Sequence, residues 1–247
     1  MLKQFFLLPA ISLFLLPNNV SGQNQTWLGT EGDIARYIFK VADNGNGLKP
    51  PSIAQAIWGF NLRQDFNHHL FLEAGFIKND YLEGVNFKVK FGAGYGTAID
   101  VVMIPLRVGK NINLCREKIY FAPVIGYSFC INSNYPGSGS GAGYSKSATD
   151  SVSFHYSEYS NFSRSFSLLQ TGAGIEFKLF KTVLLTLTAD YYTGFQKVIQ
   201  MNISYKVNDS PQMTGEQYST GAFWDIGIGL KYPISKIWAK NSAGHGL

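Results

Sequence analysis

Apolar and mixed residues alternate with period two in stretch after stretch of this chain, the spacing of a strand with two unlike faces. Ala54, Ala56, Trp58, Phe60 and Leu62 share one face, against Gln55, Ile57, Gly59 and Asn61 on the other. Leu70, Leu72, Ala74 and Phe76 oppose His69, Phe71, Glu73 and Gly75, and Val102, Ile104, Leu106 and Val108 oppose Met103, Pro105 and Arg107. The pattern continues over 119–131, 169–177 and 183–192, and closes with Trp224, Ile226, Ile228, Leu230 and Tyr232 against Asp225, Gly227, Gly229 and Lys231. A less apolar stretch at 26–34 sets Leu28, Thr30, Gly32 and Ile34 against Gly29, Glu31 and Asp33. These stretches predict eight strands.

The mixed face decides where the apolar one points. It is rich in glycine, at 59, 75, 126, 172, 174, 227 and 229, and it carries both signs of charge: Glu31, Glu73, Arg107, Glu176, Lys178, Asp190, Asp225 and Lys231. Such residues suit a narrow lumen, where opposite charges pair and play a structural part, with the apolar face turned to lipid. In particular, Arg107 and Lys231 are each expected to meet an interior carboxylate. A soluble ligand-binding barrel would reverse the faces. The links separate the two cases. They run 35–52 (long), 64–68 (short), 77–100 (long), 109–117 (moderate), 132–162 (very long), 180–181 (tight) and 194–221 (long). Short turns at one end and long loops at the other characterise an outer-membrane barrel. The expected fold is therefore all-β, an eight-stranded antiparallel up-and-down transmembrane β-barrel with both termini periplasmic. The segments 85–91 and 199–207 also alternate, and counting both gives the alternative of ten strands. An extra strand at 85–91 would invert every later connection, so both are read as strand-hairpin extensions above the membrane. Trp27, Trp58, Tyr127, Phe129, Tyr191, Trp224 and Tyr232 are the candidates for aromatic girdles at the bilayer edges.

Composition narrows this further. Of 247 residues, 15% are charged and 15% aromatic, against the ~25% charged of ordinary soluble chains. That excludes a disordered tail protein and a coiled coil. Beyond the N-terminus, no apolar run reaches the ~18 residues of a membrane helix. Residues 1–22 read as a secretory signal, with Lys3 in the n-region, an apolar stretch over 5–16, and Val20-Ser21-Gly22 before a cleavage site at Gln23. Losing Lys3 lowers the formal charge from +5 to +4, and no basic run exists, so nucleic acid is not an expected partner. The domain plan is a signal peptide at 1–22, the barrel over 23–234 and a tail at 235–247. Cys115 and Cys130 fall at opposite ends of one strand, too far apart to bridge.

Ile99-Asp100-Val101-Val102-Met103-Ile104-Pro105-Leu106-Arg107-Val108 resembles the Ile-Pro-Leu strand of the PorT-like outer-membrane β-barrel family of Bacteroidetes. Tyr120-Phe121-Ala122-Pro123-Val124-Ile125-Gly126-Tyr127 is similar to that family's Gly-Pro-x-x-Gly-Tyr strand, and 170–194 to its penultimate hairpin. Met103 stands where the family often has Glu, and Ala122 where it often has Gly. The resemblance implies an integral outer-membrane protein, and it brings with it the link of some members to protein secretion.

The sequence offers no catalytic, cofactor or metal set. Neither 92–96 nor the Gly/Ser stretch 137–143 has the Lys and strand–helix setting of a phosphate loop, and both read as flexible external loops. His68 and His69 would point to opposite faces of a strand. His155 with Ser153, Ser157 and Glu158 is the only constellation that would fit a lipid-modifying enzyme. An enzyme of that kind, or a narrow channel, is the alternative to the expected non-enzymatic structural or interaction role. Expected partners are outer-membrane lipid and lipopolysaccharide, the barrel assembly machinery, and a protein or glycan at the external loops. The long link 132–162, rich in aromatics, Ser and Gly, has the adaptable composition such contacts use.

Overall fold

The computed structural model describes residues 25–66, 69–88, 95–116, 118–132, 138–144, 151–158, 165–179 and 182–234. The signal segment 1–22 and the tail 235–247 lie outside the described residues. The described strands are β1 (Thr26–Tyr37), β2 (Lys40–Asp43), β3 (Leu48–Lys49), β4 (Ala54–Asp65), β5 (Leu70–Phe87), β6 (Tyr95–Lys110), β7 (Ile112–Cys115), β8 (Ile119–Asn132), β9 (Ser138–Tyr144), β10 (Ser151–Glu158), β11 (Ser165–Leu179), β12 (Val183–Gly194), β13 (Ile199–Val207), β14 (Met213–Ser219) and β15 (Phe223–Pro233).

Eight of them, β1, β4, β5, β6, β8, β11, β12 and β15, pair antiparallel into a closed ring. The first and last strands meet along a seam that runs from Trp27↔Pro233 to Tyr37↔Phe223. Both chain ends of the barrel and the short turns lie at one end, called here the terminal end. The long links rise from the other. There β2, β14, β13, β10 and β9 form a separate five-stranded sheet, the cap. Of the stretch 137–143, read from sequence as a flexible loop, residues 138–143 lie instead in cap strand β9, paired with β10 from Ser138↔Ser157 to Tyr144↔Ser151. Glycine and serine provide no apolar alternation, so nothing in the segment signals a strand. The segment at 85–87 prolongs β5 above the barrel, and 199–207 is cap strand β13.

The apolar faces point outward. Ile125 is 68% exposed, Ile34 63% and Ile226 59%, an open apolar surface far beyond what a water-soluble monomer presents. On β6 the outward positions Val102, Ile104, Leu106 and Val108 are bounded by the exposed Asp100 and Lys110. Ten residues at ~3.3 Å, tilted by about 40°, project to roughly 25 Å, the height of a lipid-facing apolar band. Trp224 pairs across strands with Tyr191 at the cap end, and Tyr232 faces out near the terminal end. Trp27 does not join a girdle. It is buried in the lumen, where its indole N–H donates to Asp65 Oδ2 at 2.8 Å.

The lumen has two tiers. Toward the cap it is apolar and aromatic: Tyr192 stacks on Phe223 at 4.3 Å between centroids, and Tyr37 lies against Tyr81 at 4.5 Å, with Ile77, Met103, Phe166 and Leu168 packed around them. Toward the terminal end it is charged. A second small core lies under the cap sheet, where Val85 and Phe87 of β5 meet Phe154, Tyr156, Met201, Ile203 and Tyr205.

Candidate functional site

The charged tier is held by two arginines and a lysine. Arg107 projects inward from β6, and its Nη1 lies 2.8 Å from both Glu31 Oε2 and Glu73 Oε1. Its Nε donates to Gln170 Oε1 at 3.0 Å and its Nη2 to the Tyr192 hydroxyl at 3.2 Å. Lys231 Nζ lies 2.6 Å from Glu73 Oε2 and 3.8 Å from Glu176 Oε1. The strand alternation that turns these side chains inward also removes them from water, so the fork of the guanidinium and the ammonium each satisfy carboxylates that would otherwise be buried alone.

Of the charges assigned to the interior from sequence, Glu31, Glu73, Arg107, Glu176 and Lys231 form this one network. Asp190 and Asp225 face each other across β12 and β15, and neither makes an ion pair within 4 Å among the described residues. Lys178 is a correction: it is exposed near the terminal end of β11, because the strand has left the lumen by that point. Arg63 is the interior residue that strand reading missed. It is fully buried, with Nη1 2.5 Å from Glu176 Oε1, Nε 2.6 Å from Asp65 Oδ1, and its guanidinium carbon 3.7 Å from the Phe71 ring centre. Its signal was there: 55, 57, 59 and 61 alternate inward, and the same parity reaches 63.

The space within the network is about 40 Å³, room for one or two waters. The aromatic tier closes the lumen above it. Cys130 is buried and Cys115 exposed on β7, both free.

The cap holds a concavity of about 560 Å³ on the solvent side of its sheet. It is anchored by Tyr205, whose hydroxyl donates to the Asp43 carboxylate at 2.8 and 2.9 Å and accepts from the Gly47 N–H at 2.9 Å. Asp43 also accepts from the amides of Gly45 at 3.0 Å and Leu48 at 2.7 Å. Burial alone would raise the Asp43 carboxyl, but these hydrogen bonds outweigh it and hold it below its ordinary value. Burial, and then the hydrogen bond to Asp43, push the Tyr205 phenol up to about 12. Asn46 supplies the left-handed turn residue (φ 53°) between the two.

His155 stands on β10, sharing a face with Ser153 and Ser157. Their backbone positions are ~7 Å apart, and His155 makes no side-chain hydrogen bond among the described residues. Of Glu158, only the backbone pairing with Met201 is described. His69 is exposed in a left-handed turn (φ 64°), and His68 lies outside the described residues. Among the described residues, no group of three or more His, Cys, Asp or Glu is placed to hold a metal ion.

No protein-family model matches the chain, and no curated protein matches it in sequence. Among solved structures it is similar to the N-terminal β-barrel domain of OprF from Pseudomonas aeruginosa, at 9% identity and a TM-score of 0.45, covering 85% of this chain and 99% of that one. Neisserial surface protein A is similar at 10% identity and a TM-score of 0.45, with 85% and 99% covered. OprG from Pseudomonas aeruginosa follows at 11% and 0.46, with 84% and 96% covered.

Proposed function

We propose that this protein is a non-enzymatic barrel of the outer membrane, reached through a cleaved signal peptide, that acts through contacts made by its external cap. The observation that carries this reading is the division of labour in the structure. The lumen is filled by an ion-pair network and an aromatic tier, while the concave, accessible surface belongs to the cap. In this reading the terminal end faces the periplasm and the cap faces out. Lipopolysaccharide and the barrel assembly machinery are then partners of the apolar band and the strands. A protein or glycan is the partner of the cap. The resemblance to PorT-like barrels adds protein secretion to the processes such contacts would serve.

The test replaces 195–220, which holds β13 and β14, with a short turn. The expected result is a barrel that still fractionates with the outer membrane and still shows heat-modifiable gel migration, but loses its proximity-labelled external partners in living cells. Unchanged labelling would refute the reading.

A further inference from the structure

Two rows of polar side chains cross the solvent face of the cap. In one, His155 on β10 pairs with Ser204 on β13, which pairs with Thr214 on β14. In the other, Ser157 pairs with Asn202, and Asn202 with Glu216. The rows are ~7 Å apart and their strands ~4.8 Å apart, so the six side chains make a compact patch. These residues line the 560 Å³ concavity, a volume within the range of small-molecule sites.

The chemistry of the lining is specific. Among the described residues, His155, Ser157, Asn202 and Ser204 make no side-chain hydrogen bonds within the protein, so their donors and acceptors are available. Both kinds alternate: hydroxyls that do either, an amide with an oxygen and an NH2, and an imidazole. No Lys or Arg lines the concavity, so it lacks the positive charges that hold phosphate or sulfate. Two carboxylates line the concavity and both are already engaged: Asp43 by the Tyr205 hydroxyl and the amides of Gly45 and Leu48, and Glu216 by Lys197. The large apolar side chains of this sheet, Phe154, Tyr156, Met201, Ile203 and Tyr205, are buried in the small core beneath it, so the six paired side chains of the outer face are all polar. What satisfies a dense set of hydroxyl, amide and imidazole groups beside engaged carboxylates is a dense, uncharged set of hydroxyls. Beside the patch, Lys197 Nζ lies over the Tyr218 ring, 4.4 Å from its centre.

We infer that this face of the cap binds a neutral oligosaccharide, with Asn202, Ser204 and Glu216 as its principal hydrogen-bonding residues. The inference rests on the reading of the cap as the working surface and gives that surface a ligand class.

The test uses the full-length protein in detergent, applied to an array carrying neutral, sialylated and sulfated oligosaccharides and the protein's own lipopolysaccharide glycan. The expected result is binding to neutral glycans that Asn202→Leu and Ser204→Val each weaken at least tenfold, with heat-modifiable migration unchanged as proof of folding. Signal on the lipopolysaccharide glycan identifies a ligand from the same cell, and signal only on other neutral glycans identifies a foreign one. No binding of neutral glycans, a preference for the anionic ones, or binding that both variants retain overturns the assignment. If the array is blank while cap-dependent labelling of external proteins persists in cells, the glycan assignment fails and the proposed function stands. If both are absent, both fail.

Discussion

Arg63 and Glu176 sit on β4 and β11, four places apart in a ring of eight strands, and their side chains meet across the lumen at 2.5 Å. The contact therefore ties diametrically opposite walls of the barrel. With Lys231 and Arg107 it forms a set of crossbars that reach β1, β5, β6 and β15 as well.

Arg63→Met leaves Glu176 without its strongest partner and Asp65 without its own. Breaking one side of a buried pair costs about 3–5 kcal/mol. The midpoint of heat-modifiable migration falls accordingly in Arg63→Met, and adding Glu176→Gln recovers part of the loss, since a neutral amide is cheaper to bury than a lone carboxylate.

Ile226, 59% exposed at mid-strand, faces lipid in this architecture. Ile226→Arg then costs about 2–4 kcal/mol by urea unfolding from bilayers. Ile112→Arg, on exposed β7 beyond the apolar band, stays within about 0.5 kcal/mol of wild type. In a water-soluble barrel the two would behave alike.

Gly194 ends β12 where a Cβ would overlap the Thr220 carbonyl oxygen, a backbone atom that cannot step aside, whereas Gly32 has nothing within 4 Å of the same position. Gly194→Ala is expected to lower stability by about 1–3 kcal/mol, and Gly32→Ala to leave it unchanged or slightly raised. The same unfolding assay reads both.

The Asp43–Tyr205 lock sets a pH window for the cap. Asp43 is held below its ordinary value when folded, so its contribution is present above the unfolded carboxylate range and disappears as pH falls through the folded value. The Tyr205 phenol is raised to about 12, so its contribution is full below the ordinary tyrosine value and disappears as pH rises toward 12. Protease sensitivity of the cap should increase at both extremes, and Asp43→Asn should remove the acid limb.

With the lumen filled in both tiers, planar-bilayer recordings are expected to show no stable large conductance. Sustained openings would mean that the Tyr192–Phe223 stack does not hold.

Much of the barrel is legible in the sequence because lipid imposes one rule on every outward position: Val102 to Val108, Ile119 to Ile131 and Trp224 to Tyr232 are apolar at every second residue. The rule ends where the lipid does. On β5 the outward residues change from Phe76 to Lys78 and Asp80, while the inward ones become Ile77 and Tyr81. Above the band the chain follows the inside-out pattern of a water-soluble protein, so a reading keyed to one phase stops each strand early. That is why the aromatic tier, built from Tyr37, Tyr81, Phe166 and Phe223, was not visible as lumen. Arg63 was missed for the opposite reason: it follows the right phase, but a charge next to a turn looks like the turn's own. The cap patch is illegible for a third reason. His155, Asn202 and Thr214 are far apart in sequence, and only strand pairing brings them into two rows.

The seam between β1 and β15 carries one more consequence. The Ile234 amide donates to the Thr26 carbonyl at 2.9 Å, so the barrel begins and ends at adjacent points of the same rim. A linker of a few residues can join those points without disturbing any strand pair, and new ends can be opened at an external turn such as 208–210. The resulting circular permutant would keep every barrel register while carrying both of its ends on the cap, turning a closed wall into a platform for fused segments.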